Sequence, residues 1–254
     1  MAVVQVIPSE ALHRTPGTRR LKNVTHQHPF FQKSRREQRR FQATLVLVSL
    51  LFIGAIGALL YLAGLWPLIF LVFALVLSII APFLDVPAMV RAGKLRYYSP
   101  FLLGEAERNS TLVLHAGTLF DSWFLFRKDM SASERKRLAM GGMIEGLINL
   151  IEDHEQADRG DLKVRTTSYI LNERSAAKLG LEKRPTDAFQ TLILYYNYFN
   201  LAASYSLLNR RLAFPSIKSV ETFERSMAAL AERRPFLENL KKSRRLAMPT
   251  GAPS

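Results

Sequence analysis

The chain contains no cysteine among its 254 residues. That excludes disulfides, thiolate metal sites and a cysteine nucleophile, and it agrees with a reducing compartment. Acidic residues are scarce: 21 Asp and Glu face 35 Lys and Arg, a formal charge of +14. Charge of either sign is missing altogether from Phe41 to Leu84. Also absent are a Walker loop, His-Glu-x-x-His, Gly-x-Ser-x-Gly and an EF-hand pattern, each a familiar carrier of chemistry. Collagen-like, coiled-coil and wholly disordered classes do not fit the composition.

What fills the uncharged run is apolar. As one helix it would measure roughly 66 Å at 1.5 Å per residue, about twice the hydrocarbon thickness of a bilayer. It is therefore expected to fold back, and Gly64-Leu65-Trp66-Pro67 reads as the turn. Gly permits a left-handed stop, Pro suits the first turn of the next helix, and Trp prefers headgroup depth. The expectation is a transmembrane hairpin over 43–84, with spans at about 43–63 and 67–84. Residues 1–42 hold nine Lys and Arg and the turn holds none. The positive-inside rule then puts both termini in the cytoplasm, as a multi-pass protein of a bacterial inner membrane. No signal peptide is expected, because the first apolar run starts too late and is too long. Gly54 and Ala58 share a face of the first span, where another helix can approach closely. That face is expected to pack on the second span, or else to form a dimer face.

Residues 1–42 read as a basic cytoplasmic tail, with helix starting near Ser34. Arg35, Arg36, Arg39 and Arg40 mark the membrane surface and attract anionic lipid headgroups. Nucleic acid is not the expected partner, since aromatic interleaving and known motifs are absent. The remaining partners expected are a second copy of the chain or another membrane protein. No metal site is expected, and His26 and His28 read as solvated tail residues.

From residue 85 to 185 the composition is that of a globular cytoplasmic domain, of α/β or α+β class. Strands are expected at Leu95–Tyr98, Ser110–Gly117 and Leu119–Phe126. Ser131 with Glu134 forms a capping box, so a helix should run from there to about His154. A strand over Leu162–Ile170 and a short helix over Glu173–Leu179, stopped by Gly180, follow. His115 and Asp121 are candidates for an acid/base couple, and Glu145 for a buried base. Arg165, Thr166, Thr167 and Ser168 offer a charge and hydroxyls suited to an anion.

Arg137-Leu138-Ala139-Met140-Gly141-Gly142, ahead of an apolar helix, resembles the acyl-CoA N-acetyltransferase (GNAT) superfamily. Asn172-Glu173-Arg174-Ser175-Ala176-Ala177-Lys178-Leu179-Gly180-Leu181 carries the resemblance on. It covers residues 94–182. It implies a strand meander, a helix whose N-terminal loop cradles the CoA pyrophosphate, and a following strand. It would place Arg137, Gly141, Gly142 and Asn172 beside acyl-CoA, by N–H groups facing phosphate. The capping box at Ser131 pulls the other way, since it puts Gly141 and Gly142 inside the helix.

Residues 186–240 read as a helical extension. Ala188–Asn209 is uncharged and is expected to pack on the sheet, to lie at the membrane interface, or to form a third span. Val220–Glu232 reads as an amphipathic helix, and 241–254 as a basic disordered tail. Two functions are weighed. The first is a non-enzymatic accessory, scaffold or regulatory component at the inner face of the membrane, with no cofactor. The alternative is a membrane-tethered acyltransferase using acyl-CoA.

Overall fold

The computed structural model describes residues 24, 25, 27–155, 162–168, 173–185, 195, 197–216 and 221–243. A one-turn helix, α1 (Pro29–Gln32), precedes the long helix α2 (Arg35–Leu62). Ser34 caps α2. Its hydroxyl accepts from the Glu37 N–H at 3.3 Å, and the Glu37 carboxylate accepts the Ser34 N–H at 2.8 Å. The Glu37 carboxyl is held below its ordinary pKa, first by the Ser34 hydroxyl and then by the Ser34 N–H. Gly64 takes φ +72 and turns the chain into α3 (Leu68–Arg91). The uncharged run is thus a helical hairpin, and most of its apolar surface meets no other part of the chain. Only 6% of the most apolar stretch of α2 and 22% of that of α3 is buried.

α3 holds Pro82 and outruns the span read from the sequence by two turns, passing Asp85 and Pro87. A proline inside a helix leaves the carbonyl four residues back without its donor. For Pro87 that carbonyl is Phe83 O, which accepts from Gln42 Nε2 of α2 at 2.9 Å. One turn nearer the N-terminus, Gln38 Oε1 accepts from Arg91 Nη2 at 2.7 Å, and Gln38 Nε2 donates to Lys33 O at 2.8 Å. Two glutamines of α2 therefore fasten the far end of α3.

The rest is a mixed α/β body. In chain order its elements are β1 (Leu95–Ser99), β2 (Leu102–Glu105), β3 (Thr111–Ala116), α4 (Leu119–Leu125), α5 (Ala132–Glu155), β4 (Lys163–Ser168), α6 (Glu173–Lys178), β5 (Glu182–Arg184), α7 (Tyr198–Asn209), β6 (Glu221–Ser226), α8 (Met227–Ala231) and α9 (Arg234–Ser243). The six strands form one sheet in the order β1-β2-β3-β4-β6-β5. β3 and β4 are parallel, joined through α4 and α5, and every other pair is antiparallel.

Three sequence expectations change. Leu119–Phe126 is a helix, not a strand. Thr118 caps it with Asp121 as the reciprocal partner, and Phe120 and Phe124 fall on one face at helical spacing. The meander instead gains β2, a strand that Gly104 had masked in the sequence. Finally, the first half of Val220–Glu232 is β6, inserted between β4 and β5, where Thr222 to Glu224 are buried. The short helix before Gly180, the strand at 163–168 and the helix ending at Glu155 lie where the sequence placed them.

α5 sits close on the β1–β2 turn because two glycines allow it. A Cβ on Gly146 would lie 2.5 Å from Leu102 Cβ, and one on Gly142 would lie 2.9 Å from Phe101 Cδ2. Ser99 Oγ donates to Gly142 O at 2.6 Å across the same contact. α7 packs on α3, α4 and α5, so this helix lies against other helices. Residues 188–194 and 196, the rest of the long uncharged segment, fall outside the described residues. So do 244–254, most of the basic tail. The main core joins hairpin and body, with Phe30, Tyr97, Phe120, Leu150, Ile151 and Val164 all at or near zero exposure, and a small second cluster holds Ala176, Leu181 and Phe223.

Overpacking a filled site costs about 1–3 kcal/mol. Gly146→Ala should therefore lower the melting temperature of the purified protein by several degrees. Gly54→Ala, where an added Cβ meets nothing within 4 Å, should leave it unchanged.

Candidate functional site

A fully buried polar cluster lies where hairpin and sheet meet. Asp121, on the first turn of α4, is fully buried. Its Oδ2 accepts from the Thr118 N–H at 2.6 Å and from Thr118 Oγ1 at 2.8 Å. Its Oδ1 accepts from the Tyr97 hydroxyl of β1 at 2.5 Å. His28, also at zero exposure, places Nε2 3.4 Å from the same oxygen. The Phe30 N–H donates to His28 Nδ1 at 3.2 Å, while the buried Nε2 completes no hydrogen bond. The imidazole stacks on Phe120, 4.9 Å between centroids and 11° from parallel, with Phe31, Phe124 and Tyr97 around it. Burial, then the charge of Asp121, then the hydrogen bond to it, push the Tyr97 phenol well above its ordinary pKa. Burial also raises Tyr98, to about 12, against the opposing pull of Arg96.

This cluster is sealed: His28, Tyr97, Phe120 and Asp121 have no exposed surface. Its chemistry is that of a lock between three segments. Sequence reasoning missed three of its members, His28, Tyr97 and Thr118. His28 read as a solvated tail residue, yet it is buried; the His-Pro-Phe-Phe run that carries it into an aromatic core was the available signal. Tyr97 gave none beyond strand propensity. His26 lies outside the described residues.

The other sequence candidates are dispersed. His115 does not meet Asp121. It stands half-exposed on β3, with Nε2 2.7 Å from Glu105 Oε1 of β2, and that hydrogen bond is the main cause holding the Glu105 carboxyl below its usual range. Glu145 accepts from Lys241 Nζ of α9 at 2.8 Å. Arg165 places Nε and Nη2 2.9 and 2.6 Å from Glu224 Oε2 of β6, and Thr166 donates to Leu114 O. Arg137 is exposed on α5, a little over one turn from buried Gly141 and Gly142. Both glycines lie well inside that helix, whose start at Ala132 follows the Ser131–Glu134 capping box. Asn172 lies outside the described residues. No group of three or more His, Asp or Glu that could hold a metal ion occurs among the described residues.

At the base of the hairpin Arg35, Arg36, Arg39 and Arg40 are exposed along the first turns of α2. Arg91 faces them from α3, its pKa pulled down by partial desolvation and by the like charges of Arg35 and Arg39. In the hairpin itself Gly57, not Gly54 or Ala58, faces the second helix, against Ile69. Gly54 and Ala58 are exposed.

Fold and site together define a mixed α/β body fused to an apolar helical hairpin. No protein-family model, curated protein or solved structure matches the chain.

A buried tyrosine that resists ionisation favours the fold below pH 10 and costs stability above it. The unfolded phenol loses its proton near 10, while folded Tyr98 keeps its own to about 12. Stability should therefore fall between pH 10 and 12, by roughly 2–3 kcal/mol from this residue. In Tyr98→Phe that limb of a thermal-unfolding pH profile should be shallower than in the unaltered protein. Asp121→Asn, which strands the donors around it, should cost about 1–3 kcal/mol at neutral pH.

Proposed function

We propose that the protein is an integral membrane protein whose two-span hairpin holds the α/β body at the cytoplasmic face of a bacterial inner membrane. There it serves as a non-enzymatic accessory or scaffold component. The observation that carries the reading is the bare hairpin, two helices of 28 and 24 residues with their apolar side chains facing outward. In water such a surface is a severe liability, far above the patches that monomeric proteins expose. In a bilayer it is the required solvent contact. The body packs at the end of the hairpin that bears Arg35 and Arg91, opposite the Lys- and Arg-free turn. This supports both termini lying on one side.

Partnership follows from the open Gly54 and Ala58 face, which leaves room for the backbone of another helix. The partners are the anionic bilayer surface, and a second copy or another membrane protein. No cofactor enters this reading. A second reading, a membrane-tethered acyl-CoA-dependent acyltransferase, is favoured by one observation. The β1-β2-β3 meander, α5 and the parallel strand β4 follow in the order implied by the GNAT resemblance. Against it, Phe101 fills the space over Gly142 where a pyrophosphate would need open backbone.

The protein should stay with membranes through alkaline carbonate extraction; release into the supernatant would contradict the hairpin reading. Because the chain has no cysteine, a lone Ala58→Cys can report its neighbours. A bifunctional thiol reagent in intact membranes should give one discrete adduct, and only unlinked chain under every condition would contradict the scaffold. Millimolar acetyl-CoA should leave the melting temperature unchanged; a rise would support the acyltransferase instead.

A further inference from the structure

The base of the hairpin holds a groove of about 510 Å³, bounded by Thr25, Phe31, Lys33, Arg35, Val90 and Arg91 with Gln38 beneath them. Its three cations come from three places: the end of α1, the first residue of α2 and the last residue of α3. Among the described residues, no carboxylate lines it. Among the described residues, Lys33, Arg35 and Arg91 form no ion pair. Arg91 is nevertheless aimed, because Gln38 Oε1 takes its Nη2 at 2.7 Å, and Gln38 is itself buried and tied to Lys33 O. The like charges that crowd Arg91 make an anion the missing neighbour. Phe31 and Val90 give the groove an apolar wall. The uncharged run begins at Phe41 and ends at Leu84, about two turns from Arg35 and from Arg91.

We propose that this groove binds the phosphate headgroup of an anionic phospholipid, with the acyl chains running down the bare faces of α2 and α3. The proposal rests on the membrane reading above and adds a defined ligand to it. Phosphate is the chemistry that a fixed guanidinium and two further cations recognise. A net anionic lipid is selected over a zwitterionic one because none of the described residues that line the groove is a carboxylate able to receive a choline or ethanolamine ammonium. The apolar wall, beside a hydrocarbon-facing surface, selects a lipid over free phosphate.

The test uses the full chain reconstituted in nanodiscs of phosphatidylcholine, with and without phosphatidylglycerol, and native mass spectrometry of the lipid it retains. Phosphatidylglycerol should be retained about tenfold over phosphatidylcholine, the scale of one charge-assisted contact. Lys33→Gln and Arg91→Gln should each lower that preference about tenfold, and Arg91→Lys should restore much of it. Arg36→Gln and Arg40→Gln, at the membrane surface but outside the groove, should lower it distinctly less than either groove variant, by no more than the general pull of one basic residue on anionic lipid. Lys33→Gln leaves the Arg91–Gln38 bond intact, so it reads the site even if Arg91→Gln loosens the hairpin. Equal retention of the two lipids overturns the proposal. So do equal losses from all four glutamine variants, which mean diffuse surface charge. Displacement of the lipid by millimolar inorganic phosphate also overturns it, in favour of a free anion. Failure to enter the nanodisc at all overturns the membrane reading, whereas entry without lipid preference overturns this inference alone.

Discussion

A buried carboxylate is costly unless its oxygens are occupied, and Asp121 has donors that only one arrangement of the chain supplies. Thr118 comes with it as the cap of α4. Tyr97 must arrive from β1, and His28, whose Nε2 comes within 3.4 Å of Oδ1 without completing a hydrogen bond, packs over it from the segment before the first long helix. Satisfying the carboxylate therefore fixes the helix, the sheet and the start of the hairpin relative to one another. Around it Phe30, Phe41, Phe83, Phe120 and Phe124 pack edge to face, which spreads the same constraint over hairpin and body.

The hairpin is held by a related economy of polar groups. Pro87 removes a donor from α3 at the level where the helix leaves the uncharged run, and Gln42 returns one. Gln38, a turn away, fixes Arg91. These bonds lie at the one end of the hairpin where charge is plentiful. The charge itself is divided evenly: residues 1–42 carry nine basic and two acidic residues, residues 85–254 carry 26 and 19, and nothing lies between. That distribution suits an apolar layer with both charged parts on one side of it.

Much of this architecture was legible in the sequence wherever a single local rule decides the outcome. The turn at Gly64, the caps at Ser34 and Ser131, and the stop at Gly180 rest on one residue's stereochemistry or one hydrogen bond. Failures came where two rules competed. Leu119–Phe126 is rich in strand-forming aromatics, but Thr118 and Asp121 nucleate a helix and the aromatics then share its buried face. Val220–Glu232 has helical spacing, yet Thr222, Phe223 and Glu224 alternate well enough to pair with β4 and β5. The lock at Asp121 was illegible for a third reason. Its members lie at positions 28, 97, 118 and 121, and only the tertiary fold brings them together. The paired reading of His115 with Asp121 failed in the same way, since the short strand β2 puts Glu105 beside His115 first.

The central claim is that the uncharged hairpin crosses a bilayer with its turn on one side and the α/β body on the other. Single cysteines in this cysteine-free chain, at Leu65 in the turn and at the exposed Lys136 of α5, measure it through labelling by a membrane-impermeant maleimide. In intact cells Leu65→Cys should be labelled and Lys136→Cys should be labelled only after the membrane is opened. Labelling of both positions only after opening, or of both before it, would put turn and body on the same side and contradict the account.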